Sequence, residues 1–193
     1  MFDGRDIMSF DARTLREFRR HSVSMVFQGF GLLPHRTVLQ NVAFGLLTRG
    51  EPRSTAHAKA MRWIETVGLT GYHDSYPAEL SGGMRQRVGL ARALAADPQV
   101  ILMDEAFSAL DPLIRQEMQG LLLQLQRTLQ KTIVFITHDL EEAVRIGSQV
   151  AVMRDGRVIQ VAPPQSILDN PADEYVARFV QRPASLPKAP PAT

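Results

Sequence analysis

The sequence predicts an α/β fold with a largely parallel sheet covered by helices on both faces. Two observations support this prediction. Three short runs, residues 24–27, 100–103 and 132–136, are apolar almost without interruption. Segments with the helical spacing of apolar residues separate these runs along the chain. Strands that are apolar throughout are typical of parallel sheets that are buried on both faces.

The helices between these strands have recognisable ends. They are predicted over residues 37–47, 56–67, 84–96 and 112–130. Gly68 is suited to ending the second helix, and Pro112 fits the first turn of the fourth. Asp139, with Glu142 three residues later, has the pattern of a capping box and predicts a further helix.

The last third of the chain contains a hairpin signal. Residues 149–153 and 157–161 are mostly apolar and flank Asp155 and Gly156, a pair that favours a two-residue β-turn. Beyond them, residues 182–193 are rich in proline and alanine, and we expect this tail to be disordered.

Composition excludes several classes of function. The chain has 22 Lys and Arg against 20 Asp and Glu, so it carries no strong field for nucleic acid. It has no cysteine, which excludes disulfides and thiolate metal sites. No window holds the roughly 18 apolar residues of a membrane span. We therefore expect a soluble or peripheral protein without a nucleic-acid partner, whose membrane role requires another subunit.

Polar residues follow each predicted strand: Gln28, the pair Asp104 and Glu105, and His138. Because ligands bind at the carboxyl ends of strands in such sheets, these side chains predict one site. An acid in this position holds magnesium beside a phosphate, and its neighbour polarises the attacking water. Taken alone, each feature has a simpler explanation, since strands often end in solvated acids, and a lone histidine or glutamine is usually structural or at the surface.

Residues 80–87 have the sequence LSGGMRQR directly before a helical stretch. Ser81, Gly82 and Gly83 would expose backbone N–H groups at the positive end of the helix dipole, which is a suitable anion site. An N-cap followed by a flexible turn explains Ser81 and Gly82 but not the whole octet. Two further histidines, His35 and His57, match no such pattern and are expected at the surface.

The octet LSGGMRQR resembles the signature motif of ATP-binding-cassette (ABC) ATPases. In the same order as in that family, VFQ is similar to the Q-loop, VILMDE to the Walker B strand, SALD to the D-loop and His138 to the switch histidine. The resemblance implies a P-loop NTPase-like ABC core with a helical subdomain, with Glu105 and His138 as catalytic residues. It also implies that ATP is bound by Gln28, Ser81, Gly82, Gly83, Gln86, Asp104 and Asp111, and Mg²⁺, mostly through water, by Asp104 and Gln28.

Longer stretches narrow the resemblance to importers of glycine betaine, proline betaine or choline. Two stretches, FQGFGLLPHRTVLQNVAFG and MDEAFSALDPLIR, are similar to that subfamily. In the second, Ala106 and Phe107 follow the glutamate, where many other importer ATPases have proline. The resemblance implies permease subunits, a second ATPase subunit packed head to tail, and indirectly a substrate-binding protein outside the membrane. It places the chain peripherally at the cytoplasmic face of the bacterial inner membrane. The substrate class is inferred by analogy, because the binding protein and the permease contact the substrate and this chain does not.

The same resemblance divides the chain. Residues 1–28 correspond to the N-terminal part of the ATPase core, 29–83 to the helical subdomain that ends in the signature motif, and 84–181 to the rest of the core. Residues 1–7 are expected to form a strand and turn.

The sequence contains no GxxxxGK[ST], the phosphate-binding loop of this family. In the family this loop lies upstream of the segment that residues 1–7 resemble. We therefore expect a chain that is truncated at its N-terminus, so that the loop and the N-terminal strands of the core are missing. Losing three charge-assisted hydrogen bonds would weaken ATP binding by about three to six decades. Apolar surface would then be exposed.

One alternative is a non-catalytic subunit that completes the site of an intact partner. The other is a soluble ABC protein acting on ribosomes or DNA, which the near-neutral charge disfavours.

Overall fold

The computed structural model describes residues 1–180. The chain forms two compact units, one ending at Ile136 and the other beginning at Thr137. The predicted disordered tail, residues 182–193, lies outside the described residues. The subdomain boundaries predicted after residues 28 and 83 stay predictions. No helix within residues 1–180 combines the length and apolarity that a membrane crossing requires.

The first unit begins with short local structure. Phe2 and Arg5 close a turn through an isolated antiparallel bridge, and Ile7–Ser9 is a 3₁₀ turn. The turn predicted within residues 1–7 is therefore confirmed, and the predicted strand is wrong, because Phe2 and Arg5 bond each other across this turn. Helix α1 (Ala12–His21) follows, with Asp11 as its N-cap.

A parallel three-stranded sheet forms the centre of this unit. Its strands are β1 (Val23–Phe27), β2 (Val100–Asp104) and β3 (Thr132–Ile136), in the order β1-β2-β3. The register aligns the final residues Phe27, Asp104 and Ile136 at one edge. The predicted α/β fold with a parallel sheet is confirmed.

The two faces of the sheet differ. The inner face carries Val26, Ile101 and Met103, all buried. The outer face carries the alternate residues, and there Val134 and Ile136 are 47% and 56% exposed. The prediction of a sheet covered on both faces is therefore wrong for the outer face of β3 within residues 1–180. An apolar run shows that burial would be favourable, but it does not supply the helix that covers it.

Three helices pack together in the same unit: α2 (Val38–Thr48), α3 (Arg53–Thr66) and α4 (Gly82–Ala95). Thr37 caps α2 in a capping box with Gln40. Helix α4 also contacts β1, and so joins the helical region (α2, α3 and α4) to the sheet. Helix α5 (Pro112–Leu129) connects β2 to β3 and ends at Gln130, which is left-handed.

The second unit contains α6 (Leu140–Ile146), β4 (Val150–Arg154), β5 (Arg157–Ala162), α7 (Pro164–Asp169) and α8 (Glu174–Val180). Strands β4 and β5 form the predicted antiparallel hairpin. Its turn residues Asp155 and Gly156 both have positive φ, at 49° and 75°, as a type I′ turn requires. Val152, Ile167 and Val176 contribute to a small core of this unit.

Candidate functional site

The edge at which β1 and β2 end brings together polar side chains that are distant in sequence. Gln28 directly follows β1, and its Nε2 donates to Ser108 Oγ at 3.1 Å. The same nitrogen lies 3.5 Å from Glu105 Oε2. The predicted convergence is therefore confirmed for Gln28 and Glu105. The common edge of a parallel sheet provides it, because both strands run in the same direction and end in register.

Glu105 is held in an unusual backbone conformation. Its φ is 43°, in the left-handed region that costs a non-glycine residue about 1 kcal/mol or more. Its N–H donates to the carbonyl of Ile136 at 3.0 Å, and its own carbonyl accepts from Ser108 Oγ at 2.9 Å. These bonds fix the turn at the end of β2, so the carboxylate is placed by backbone geometry and by its contact with Gln28.

Asp104 is the last residue of β2 and is exposed. Its carboxylate makes no hydrogen bond or ion pair within residues 1–180, so its oxygens are open to a ligand. The same part of the chain contains no group of three or more His, Cys, Asp or Glu side chains able to hold a metal by themselves. Mg²⁺ is usually held by one or two carboxylates together with phosphate oxygens and water. Asp104 and the amide oxygen of Gln28 fit Mg²⁺ bound in that way.

The segment LSGGMRQR begins helix α4 earlier than predicted. Ser81 is the N-cap, and its hydroxyl accepts from Met84 N at 3.3 Å. Gly82 and Gly83 lie inside the first turn and do not form a flexible turn before it. A Cβ on Gly83 would lie 2.6 Å from Ile114 Cγ2, so glycine permits the close approach of α5. The exposed N-cap at the start of a 14-residue helix is compatible with the predicted anion contact.

Two other residues predicted to contact ATP differ in exposure. Asp111 is exposed and caps α5, where its Oδ1 accepts from Ile114 N at 3.1 Å. Gln86 is fully buried, and its side-chain amide finds no hydrogen-bond partner within the described residues. Gln86 therefore does not reach the surface in this structure, and its contact with a nucleotide stays a prediction.

His138 belongs to the second unit, where it is exposed two residues after β3. The next residue, Asp139, caps α6 by accepting from the N–H groups of Glu141 and Glu142. The predicted N-cap is confirmed. The role of His138 beside a phosphate stays a prediction.

The site includes residues that the sequence did not single out. Ser108 contacts both Gln28 and Glu105, and its position in the SALD segment, three residues after the acid, was the available signal. Arg85 and Arg92 of α4 both contact Phe30, in the loop after Gln28. No sequence pattern identified these contacts, because they depend on how a loop folds onto a helix.

The family of the chain follows from a direct match. Residues 1–108, more than half of the chain, match the model of the ABC transporter family. The chain belongs to the ABC transporter family. This confirms the resemblance of its signature, Q-loop and Walker B segments.

Several relatives of this ABC chain are ATP-binding proteins of transport systems. It is 54% identical over 179 residues to the glycine betaine/carnitine transport ATP-binding protein of Listeria monocytogenes, covering 93% of this chain and 45% of the relative. It is 56% identical, with the same coverage, to the glycine betaine/proline betaine transport system ATP-binding protein of Escherichia coli. It is 54% identical to the trimethylamine N-oxide transport system ATP-binding protein of Ruegeria pomeroyi, covering 93% of this chain and 53% of the relative. The chain thus spans about half the length of these relatives.

Proposed function

We propose that this chain is part of the ATP-binding and ATP-hydrolysing subunit of an ABC importer for small methylated amines such as glycine betaine, proline betaine or choline. The observation that carries the proposal is the contact of Gln28 with Glu105 and Ser108, residues 77 and 80 positions away in sequence. Membership of the ABC transporter family supports ATP as the ligand of this edge.

The chemistry assigns a separate role to each acid. Glu105 accepts the proton of the attacking water, and Gln28 keeps its carboxylate oriented through the contact at 3.5 Å. Asp104, with the amide oxygen of Gln28, would hold Mg²⁺, which neutralises charge on the phosphates. The backbone N–H groups at Ser81, Gly82 and Gly83 would bind phosphate oxygens. The role proposed for His138 is a separate contact with a phosphate.

The substrate class rests on the three relatives. Their names refer to glycine betaine, carnitine, proline betaine or trimethylamine N-oxide, all of which carry a methylated nitrogen. The chain itself would not contact the substrate, so this part of the proposal is an analogy at the level of the transporter.

The partners are permease subunits in the membrane, reached from the cytoplasmic face, a second ATPase subunit, and a substrate-binding protein on the other side. A depression of about 450 Å³ on the helical region supports a permease contact. It is lined by His35, Arg36, Gln40, Leu47, Arg53 and His57. Neither Arg36 nor Arg53 has an ion-pair partner within residues 1–180, so this basic surface favours an acidic loop of the permease.

The test uses the native transporter in vesicles, with ATP hydrolysis and uptake of labelled glycine betaine measured together. Glu105→Gln should lower hydrolysis about 100-fold or more, with uptake falling in parallel and nucleotide binding retained. Glu65→Gln is the matched control, because Glu65 is exposed on α3 and its substitution removes the same charge. Unchanged hydrolysis in Glu105→Gln would contradict a catalytic role for this chain.

Unchanged hydrolysis in Glu105→Gln is also the result that the non-catalytic alternative predicts. If the chain only completes a partner's site through Ser81 to Gly83, Glu105→Gln leaves hydrolysis intact, whereas Ser81→Arg abolishes it. Loss of hydrolysis in both variants supports the catalytic proposal.

A further inference from the structure

The Gln28 loop (residues 28–31) adopts a backbone conformation that is unfavourable for one of its residues, Phe30. Phe30 and Gly31 are both left-handed, with φ of 64° and 57°. For a residue with a side chain, such as Phe30, this conformation costs on the order of 1–2 kcal/mol. A Cβ on Gly31 would lie 2.8 Å from Phe27 Cδ2, so a larger residue there would require the Phe27 ring to shift. Contacts from outside the loop, added to its local backbone hydrogen bonds, offset this cost.

Arg92 of α4 provides the first of these contacts. Its Nη1 donates to the carbonyl of Gly31 at 2.6 Å, and its Nη2 donates to the carbonyl of Phe30 at 3.3 Å. One planar guanidinium thus bonds the two successive carbonyls of the left-handed pair. Burial lowers the pKa of Arg92 below its ordinary value. An arginine nevertheless stays charged at neutral pH, so both bonds are charge-assisted.

The ring of Phe30 provides the second contact with the same helix. The guanidinium of Arg85 lies 5.1 Å from the centroid of this ring. Phe30 also lies beside Gly82 and Gly89 of α4, since a Cβ at these positions would be in ordinary van der Waals contact with it, 4.0 Å from Phe30 Cζ and 3.5 Å from Phe30 O. Phe30 therefore lies along about two turns of α4, beginning at the turn that carries the signature glycines.

These contacts connect two parts of the site. At one end of α4 are Ser81 and Gly82, and at the other end of the Gln28 loop is the contact between Gln28 and Glu105. We propose that Arg92 is a positioning residue that fixes the Gln28 loop to α4, so that a displacement of α4 moves Gln28 relative to Glu105. Helix α4 and the Gln28 loop then act as one element during turnover. This inference rests on the proposed function, because it assigns Gln28 and Glu105 to ATP hydrolysis.

The experiment compares two arginines of the same helix in the native transporter. Arg92→Gln removes the charge and the paired donors, and Arg92→Lys keeps the charge but can bond only one carbonyl well. Arg87→Gln and Arg87→Lys are the controls, because Arg87 also bonds a carbonyl, that of Val67, and an acid, Glu117. Those partners lie outside the Gln28 loop. The readouts are kcat and KM for ATP, and amide hydrogen exchange in a peptide covering residues 27–33.

The expected result is a fall in kcat of about tenfold in Arg92→Gln, with KM changed less than about twofold, and an intermediate kcat in Arg92→Lys. Exchange in residues 27–33 should accelerate by a similar factor in the Arg92 variants. It should keep its parental rate in the Arg87 variants. A merely structural role for Arg92 would lower the amount of folded transporter without this split between kcat and KM and without rescue by lysine.

Two outcomes would overturn the inference: parental kcat in Arg92→Gln, or parental exchange of residues 27–33 in both Arg92 variants. If Arg92→Gln does not fold, Arg92→Lys decides by the same readouts. A parental transporter that does not hydrolyse ATP would instead refute the proposed function. The exchange data would then still show whether Arg92 holds the Gln28 loop.

Discussion

The helical region and the outer face of the sheet are both apolar in sequence but differ in burial. In the helical region, Val42 and Ile64 are almost completely buried. On the outer face, Val134 and Ile136 remain about half exposed. The comparison shows that an apolar pattern identifies residues that gain from burial, whereas only packing determines whether that gain is realised.

A buried polar side chain distinguishes the helical region further. Asn41 is completely buried in α2. It accepts from Leu33 N at 2.8 Å and donates to the carbonyls of Leu33, Arg36 and Thr37 at 2.9–3.1 Å. These bonds fasten the segment before α2 onto the helix. The region is therefore held by a satisfied polar group as well as by apolar contacts.

The largest effect that we predict is the loss of this group. Asn41→Leu adds apolar surface to an apolar core, yet it leaves the N–H and carbonyl of Leu33 without their partner. The free energy of unfolding should fall by about 3 kcal/mol, since each orphaned polar group costs about 1–3 kcal/mol. Urea unfolding followed by the fluorescence of Trp63 measures this locally, because Trp63 is the single tryptophan and packs against the helical core.

The control for this substitution is Asn170→Leu, which makes the same chemical change at an exposed position. It should alter stability by less than about 0.5 kcal/mol. Stabilisation by Asn41→Leu would show that apolar burial, and not the hydrogen bonds of Asn41, dominates in this region.

Local features of the fold were predictable because they depend on residues close in sequence. The hairpin around Asp155 and Gly156, the cap at Asp139 and the start of α5 at Pro112 follow directly from turn and capping preferences. The parallel sheet followed from its uninterrupted apolar strands. The contact of Gln28 with Glu105 followed from the rule that parallel strands end at one edge.

Other features were not predictable, because they depend on which elements pack together. The burial of Gln86 has no signal in the sequence, since its neighbours Arg85 and Arg87 are polar as well and are only partly buried. The bonds of Arg92 to Phe30 and Gly31, which are 62 and 61 residues away in sequence, require the loop and α4 to be adjacent. The start of α4 was predicted at Met84, two residues late, because glycines are poor helix formers, whereas the cap by Ser81 places both glycines inside the helix.

The second prediction compares the two faces of the sheet by one substitution. Ile101→Thr, on the inner face, should cost about 2–3 kcal/mol, because Ile101 is fully buried and a hydroxyl there lacks a partner. Val134→Thr, on the outer face, should cost less than about 0.5 kcal/mol, because the side chain already contacts water and stays β-branched. Urea unfolding followed by far-ultraviolet circular dichroism measures both. A cost of Val134→Thr near that of Ile101→Thr would show that the outer face is covered in solution.

The smallest effect is expected in helix α1, because none of its residues is buried. The pKa of Asp11 lies below its ordinary value of 3.8. The largest cause is a hydrogen bond from the Thr14 hydroxyl, and the second is the bond from the Thr14 N–H, which lies 2.7 Å from Asp11 Oδ1. Because the folded-state pKa is the lower one, this cap stabilises α1 above about pH 4, and the stabilisation is lost as the pH falls through the folded-state pKa.

Titration of the Asp11 carboxyl and the Thr14 amide by nuclear magnetic resonance measures that pKa. The midpoint should lie below 3.8, and both signals should titrate together. In Asp11→Asn the Thr14 amide should keep its position across this range, because asparagine caps a helix as well as aspartate but does not ionise. A midpoint at or above 3.8 would mean that the cap is open in solution. In that case the start of α1 would be frayed.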